Sequence, residues 1–224
     1  VEGIGAHVYV PRQYREERRD VLARAVRRIA FAMLVTPGPG GLQISHVPMI
    51  LKEAPDGAWL LETHVARANP HAGAAGSCVA PSVAVFQGPQ AYVSPSWYAT
   101  KREHGRVVPT WNYIAVHAHG MLEAVDDERW LHAHLRALTR ANEAGREHPW
   151  EVEDAPAEFI AGQARAIVGM RLPVTRIEAA WKMAQHRSEG DRLGAIVGLE
   201  REPAGTAVAE VMRDLEEARR VVEP

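Results

Sequence analysis

The sequence predicts an α+β fold, a barrel of short strands carrying helices on its rim. Three observations predict it. Helix-period segments lie towards both ends of the chain. Between them run short β-like stretches punctuated by Gly and Pro turns. No internal repeat and no long linker calls for a second core. With 224 residues and 46% hydrophobic content, the chain can bury one sizeable core. The expected division is a main domain over residues 1–200, with helical additions, and an amphipathic helical tail over 201–224.

Residues 14–30 read as a helix, since Leu22, Val26 and Ile29 recur at helical spacing among arginines and acids. The period then changes. Residues 32–36, 42–52 and 58–65 read as strands, with a loop over 36–41 and a hairpin turn at Asp56-Gly57. Asn69-Pro70 signals a short helix, with Asn as cap and Pro in its first turn. Residues 83–86 and 91–93 are β-like runs around Gly88-Pro89. Ser94-Pro95 opens a helical turn or two over residues 97–104. Residues 107–125 form a long β segment, two strands or one bent strand. Asp127 caps a helix with Trp130, Leu131, His134, Leu135 and Leu138 on one face. Pro156 starts another helix, predicted to reach Gly169, and residues 170–179 return to β. Residues 207–220 are amphipathic, with Val208, Val211, Met212 and Leu215 on one side.

The formal net charge of -2 leaves no electrostatic footprint for nucleic acid, so DNA binding is not expected. No apolar run approaches the roughly 18–20 residues of a membrane span, and no signal-peptide pattern opens the sequence. A soluble, cytoplasmic protein without membrane attachment is expected. The lone Cys78 excludes an intrachain disulfide and reads as a small buried or loop residue. There is no GxGxxG after a strand, no Walker-type loop and no GxSxG elbow.

Four polar constellations remain. His64 ends a strand and Arg67 follows three residues later. A neutral imidazole there can ligate a metal or haem iron, and the guanidinium can meet a carboxylate or phosphate. A core histidine and a turn-capping arginine explain the same spacing. Ser94, Ser96, Trp97 and Tyr98 offer hydroxyls near a helix start and flat faces for a ring, or ordinary capping and core packing. Lys101, Glu103, His104 and Arg106 precede Trp111, Asn112 and Tyr113, a pattern that suits an anionic cofactor or a solvated turn before a buried strand. His117 and His119 share one strand face, half of a zinc site with no matching partner motif.

These residues sit in longer motifs: HVARANP (His64 to Pro70), VFQGPQAYVSPSWY (Val85 to Tyr98) and EHGRVVPTWNY (Glu103 to Tyr113). Together with YVPRQY (Tyr9 to Tyr14) and WKMAQHRSEGDRLGAIVGL (Trp181 to Leu199), they resemble the signature of the PaiB family. The resemblance covers nearly the whole chain to about residue 200. It implies a split β-barrel of the FMN-binding type with flanking helices, similar to pyridoxamine-phosphate oxidases, and a homodimer with cofactor clefts near the subunit interface. The family is commonly labelled FMN-binding negative transcriptional regulator. The resemblance also reaches haem-dependent piperazate synthases, which share the fold and form the N–N bond of piperazic acid from N5-hydroxyornithine. The sequence departs from the regulator pattern at Ala99, where the family usually has proline. It departs again at Ala184 and His186, which stand where the family usually has serine and asparagine.

Two functions from different classes follow. As an enzyme resembling piperazate synthase, acting on a small amino-acid substrate, the resemblance implies haem b with His64 as axial iron ligand. It then implies Lys101, Tyr98 and His104 as candidates for proton transfer. Arg67, Ser94, Trp97, Trp111 and Asn112 become candidates for contacts to the cofactor. As a PaiB-type regulator, the same residues imply FMN in place of haem. A flavin-dependent oxidoreductase is a third reading.

Overall fold

The computed structural model describes residues 8–38, 40–74 and 81–222; Cys78 lies outside the described residues. Two antiparallel sheets and seven α-helices are present among them. The chain groups into two compact units. The first holds residues 23–86 and 117–177, and the second holds 8–22, 87–116 and 178–222 of the described chain.

In the first unit, β1 (Phe31–Gly38) lies between β2 (Gly41–Pro48) and the start of β5 (Ser82–Val93). Here β1 pairs with β2 as far as Gly38↔Gly41, so the ladder runs into the loop expected over 36–41. The second sheet has the order β3-β4-β8-β7, formed by Ile50–Glu53, Trp59–Ala66, Ile167–Val174 and Glu123–Val125. The single strand expected over 42–52 is therefore two strands in two sheets. Pro48 has no N–H for a ladder. Met49 N instead donates to Ala30 O at 2.7 Å, and Pro48 O accepts from the Thr63 hydroxyl at 2.6 Å. The turn read from the sequence at Asp56-Gly57 is present: Gly57 has φ +83°, which favours glycine, and the Asp56 carboxylate accepts from Ala58 N.

Helix α2 (Pro70–Ala74) packs on β1, β2 and β4, under the predicted Asn69 start. Helix α4 (Glu128–Glu143) begins where the Asp127 carboxylate accepts from Trp130 N at 2.6 Å. Helix α5 (Ala157–Arg165) ends four residues before the predicted Gly169. Arg67 is the physical reason: its guanidinium takes the Arg165 and Ile167 carbonyls, and its N–H takes that of Ala166. That closes the helix and starts β8 against β4.

In the second unit, the rest of β5 adjoins β6 (Thr110–Gly120), which adjoins β9 (Arg176–Lys182). β5 runs unbroken through Gly88-Pro89, read from the sequence as a break between two β-like runs. Gly88 presses on Ile114, which a Cβ would meet at 2.9 Å. Helix α1 (Arg19–Ile29) starts five residues later than expected. Ahead of it the Glu16 carboxylate accepts from Arg18 N at 2.8 Å and from the Arg18 guanidinium, holding that stretch out of helix. A 3-10 turn over Pro95–Trp97 and helix α3 (Thr100–His104) carry the motif read as Ser94 onward. Helices α6 (Glu189–Leu199) and α7 (Thr206–Val222) pack together, joined by Arg192 to Glu216 at 2.6 and 2.8 Å.

Candidate functional site

The sequence-derived candidates fall into two groups, one in each unit. His64 and Arg67 belong to the first. Ser94, Trp97, Tyr98, Lys101, His104, Trp111 and Asn112 belong to the second.

His64 sits near the end of β4, opposite Gly169 of β8 in the ladder. Its Nδ1 lies 3.1 Å from Nε2 of His134 on α4, with the two rings edge to face. His134 is stacked on Trp130, one turn earlier, with ring centroids 5.0 Å apart and planes within 1°. The Trp130 indole N–H donates to Glu62 at 3.3 Å, and Arg171 spans both the ring and the carboxylate. Lys52 completes the charge balance at Glu62, 2.6 Å away. A Cβ at Gly169 would stand 2.0 Å from the Trp130 ring, so glycine lets the indole lie flat on β8 beside His134. The sequence puts His134 on the core face of its helix and does not join it to His64. The available signal was its i,i+4 spacing from Trp130.

Burial holds the His64 pKa below the usual histidine range. It lowers that of His134 to about 4, helped by the neighbouring His64 and Lys52 and opposed by Glu62. Both imidazoles are therefore neutral at pH 7, and one proton lies between the paired nitrogens. With Nδ1 committed to His134, Nε2 is the nitrogen left to His64 for a ligand. His134 Nδ1 is buried and has no hydrogen-bond partner among the described residues.

Arg67 is engaged within its own unit, by Asp126 at 2.8 and 3.2 Å and by the carbonyls that end α5.

The second unit holds a cleft of about 420 Å³. Its walls include three of the predicted residues, Ser94, Trp97 and Trp111, with Tyr92, Gln90 and Glu202. Tyr92 and Trp111 meet edge to face at 6.3 Å. Trp97 is fixed from behind by α6, where Gly194 lies against its carbonyl and Gly198 against its ring. A Cβ at Gly198 would approach that ring to 2.2 Å. The i,i+4 spacing of Gly190, Gly194 and Gly198 is the sequence signal of such close approach, and α6 is not among the elements expected from the sequence.

The other candidates of this unit stand apart from the cleft lining. Lys101 is exposed and donates to Ser96 Oγ at 3.0 Å. His104 is exposed and accepts from Arg106 N at 3.0 Å. Tyr98 is fully buried under the Arg187 guanidinium, 4.6 Å from its ring, and its hydroxyl has no hydrogen-bond partner among the described residues. Burial raises its pKa. Asn112 is also buried, with Nδ2 on Met212 Sδ at 3.2 Å.

Solved structures place the chain among split-barrel proteins. The FAD and Heme binding protein from Mycobacterium smegmatis matches with TM-score 0.56 and 14% identity, over 81% of this chain and 80% of that one. The Flavocytochrome Anf3 from Azotobacter vinelandii matches with TM-score 0.57 and 12% identity, over 84% and 78%. At those identities the likeness carries the fold, an α+β split β-barrel with flanking helices. Sequence goes further. The family described as "Putative FMN-binding domain" matches residues 8–176. The "Protease synthase and sporulation protein PAI 2" of Bacillus subtilis (strain 168) is 30% identical over 209 residues, 92% of this chain and 97% of that protein. The chain belongs to this PaiB-type, FMN-binding family.

The residues present offer the two flat cofactors different features. FMN carries a phosphate, yet the cleft lining contains no Lys or Arg and includes the carboxylate of Glu202. Its aromatic walls suit a ring, and its charge does not suit a phosphate. Haem iron needs as little as one protein ligand. A neutral histidine whose Nδ1 is already hydrogen-bonded meets that need. Among the described residues no three His, Cys, Asp or Glu side chains converge on one point, so His64 does not belong to a bare metal-ion centre of that kind.

Proposed function

We propose that this chain is a haem-dependent enzyme, with His64 as the axial ligand of haem b. We further propose that it closes an N–N bond in N5-hydroxyornithine, as the piperazate synthases it resembles do. The observation that carries the reading is the His64–His134 pair. Its two imidazoles are neutral, and His134 holds His64 through Nδ1. His64 offers an Nε2 lone pair when its own proton sits on Nδ1, towards His134. Bound there, haem iron would supply Lewis acidity towards the N-hydroxyl oxygen. In the reaction the substrate's α-amine bonds to N5 while the N5–O bond breaks. The amine gives up a proton and the hydroxyl leaves as water. Lys101, Tyr98 and His104 are the candidates that the resemblance implies for carrying those protons.

We also propose a homodimer. On the outer face of the β1-β2-β5 ladder, Phe31, Leu42 and Ile44 are exposed beside the half-buried Met33, Val35, Val83 and Val85. An apolar sheet face of that kind favours a covering partner, and a second copy supplies the same face. Ile44→Glu is expected to shift the protein to monomer in sedimentation experiments; a wild-type monomer would contradict the assignment.

A second reading, an FMN-binding PaiB-type regulator, is favoured by the family description and by the PAI 2 relative. The two part on one assay. Haem-loaded protein incubated with N5-hydroxyornithine is expected to yield a product lighter by one water. Purification with bound flavin, and no turnover when loaded with haem, would favour the regulator.

A further inference from the structure

We propose that the cleft of the second unit binds an organic cation, a protonated amine or quaternary ammonium, held between aromatic faces and the Glu202 carboxylate. The inference rests on this unit alone and is independent of what His64 binds.

Three features carry it. The first is the wall chemistry: Tyr92, Trp97 and Trp111 line one concavity of about 420 Å³, large enough for a small ligand. Indole and phenol faces attract cations through their ring quadrupoles, tryptophan most strongly. The second is charge. Glu202 is the one charged side chain of the lining, it is exposed, and no ion pair engages it among the described residues. A cation in the cleft therefore meets a negative group and no competing positive one. An anion meets the reverse. The third is rigidity. The Trp97 ring is seated on the backbone of Gly198, and Tyr92 and Trp111 brace each other edge to face. Walls already in place cost little to order when a ligand enters. Ser94 and Gln90 add polar groups that can orient a hydroxyl or carbonyl on the ligand.

The test uses the full-length protein and two probes of nearly equal shape, choline and its neutral carbon isostere 3,3-dimethylbutan-1-ol. Binding is followed by tryptophan fluorescence and confirmed by calorimetry. Choline is expected to bind saturably, and the neutral isostere about tenfold more weakly, the range for a desolvated cation–π contact. Trp111→Ala removes an exposed ring and Glu202→Gln removes only an exposed charge, and both variants are expected to fold. Each is expected to weaken choline binding by about fivefold to tenfold. Equal affinity for the two probes, no saturable choline binding, or choline binding unchanged in both variants would overturn the proposal. So would FMN binding that is lost in Trp111→Ala, because the cleft would then be a flavin site.

Discussion

The two units solve the same packing problem and arrive at different chemistry. In each, a tryptophan ring lies flat on a glycine: Trp130 on Gly169 in the first, Trp97 on Gly198 in the second. In the first unit the indole supports a second ring. His134 stacks on it and takes His64 Nδ1, inside a shell where Glu62 is balanced by Lys52 and Arg171. The result is a neutral, directional nitrogen site. In the second unit the indole is itself a wall of an open cleft, beside one unpaired carboxylate. The result is a surface for charge without direction. The same residue type thus serves a ligand atom in one place and a ligand face in the other.

The glycines are the sharpest place to break this comparison. Gly169→Ala and Gly198→Ala each drive a Cβ into an indole ring, and each is expected to destabilise the protein by about 3 kcal/mol in urea unfolding. The consequences should separate. Gly169→Ala is expected to impair haem binding and spare choline binding, and Gly198→Ala to do the opposite. If both variants lose both ligands, the two regions do not act independently.

Next in size is a pH effect centred on His134 of the first unit. In the unfolded chain, His134 takes a proton as the pH falls through its ordinary 6.5, whereas in the folded haem-free protein it resists until about 4. The unfolded state binds more protons in that window. Stability is therefore expected to fall as the pH drops from 6.5 towards 4, by roughly 2–3 kcal/mol in all, with no such slope above it. His134→Gln should flatten this dependence, as read by urea midpoints at several pH values.

A smaller effect is expected at Glu62, which is fully buried between two half-exposed cations and the Trp130 N–H. Glu62→Gln is expected to cost about 1–2 kcal/mol. That is less than for a fully buried ion pair, because Lys52 and Arg171 keep contact with water. A cost near zero would mean that Trp130 is held by packing on Gly169 alone.

Much of this architecture is legible in local sequence. Asp127 and Ser94 act as caps where their residue types predict, and Asp56-Gly57 makes its turn. Three of the flat or polar residues read from the motifs, Ser94, Trp97 and Trp111, do share one cleft. The failures have a common cause, which is that long-range partners override the local pattern. Val47, Met49 and Leu51 keep alternating across the change of sheet, and only Pro48 marks it locally. α5 ends because Arg67, about 100 residues away in sequence, takes its carbonyls. The glycines of α6 lower its helix propensity and hide it in the local pattern, yet Gly194 and Gly198 are what admit Trp97. The His64–His134 pair joins residues 70 positions apart, and no spacing rule connects them.

The most direct measurement is the absorption spectrum of the purified, haem-supplemented protein beside its His64→Ala and Trp111→Ala variants. A Soret band in the wild type that persists in Trp111→Ala and disappears in His64→Ala is the predicted result. Flavin bands in the wild type, or a Soret band that survives in His64→Ala, would contradict His64 as the haem ligand.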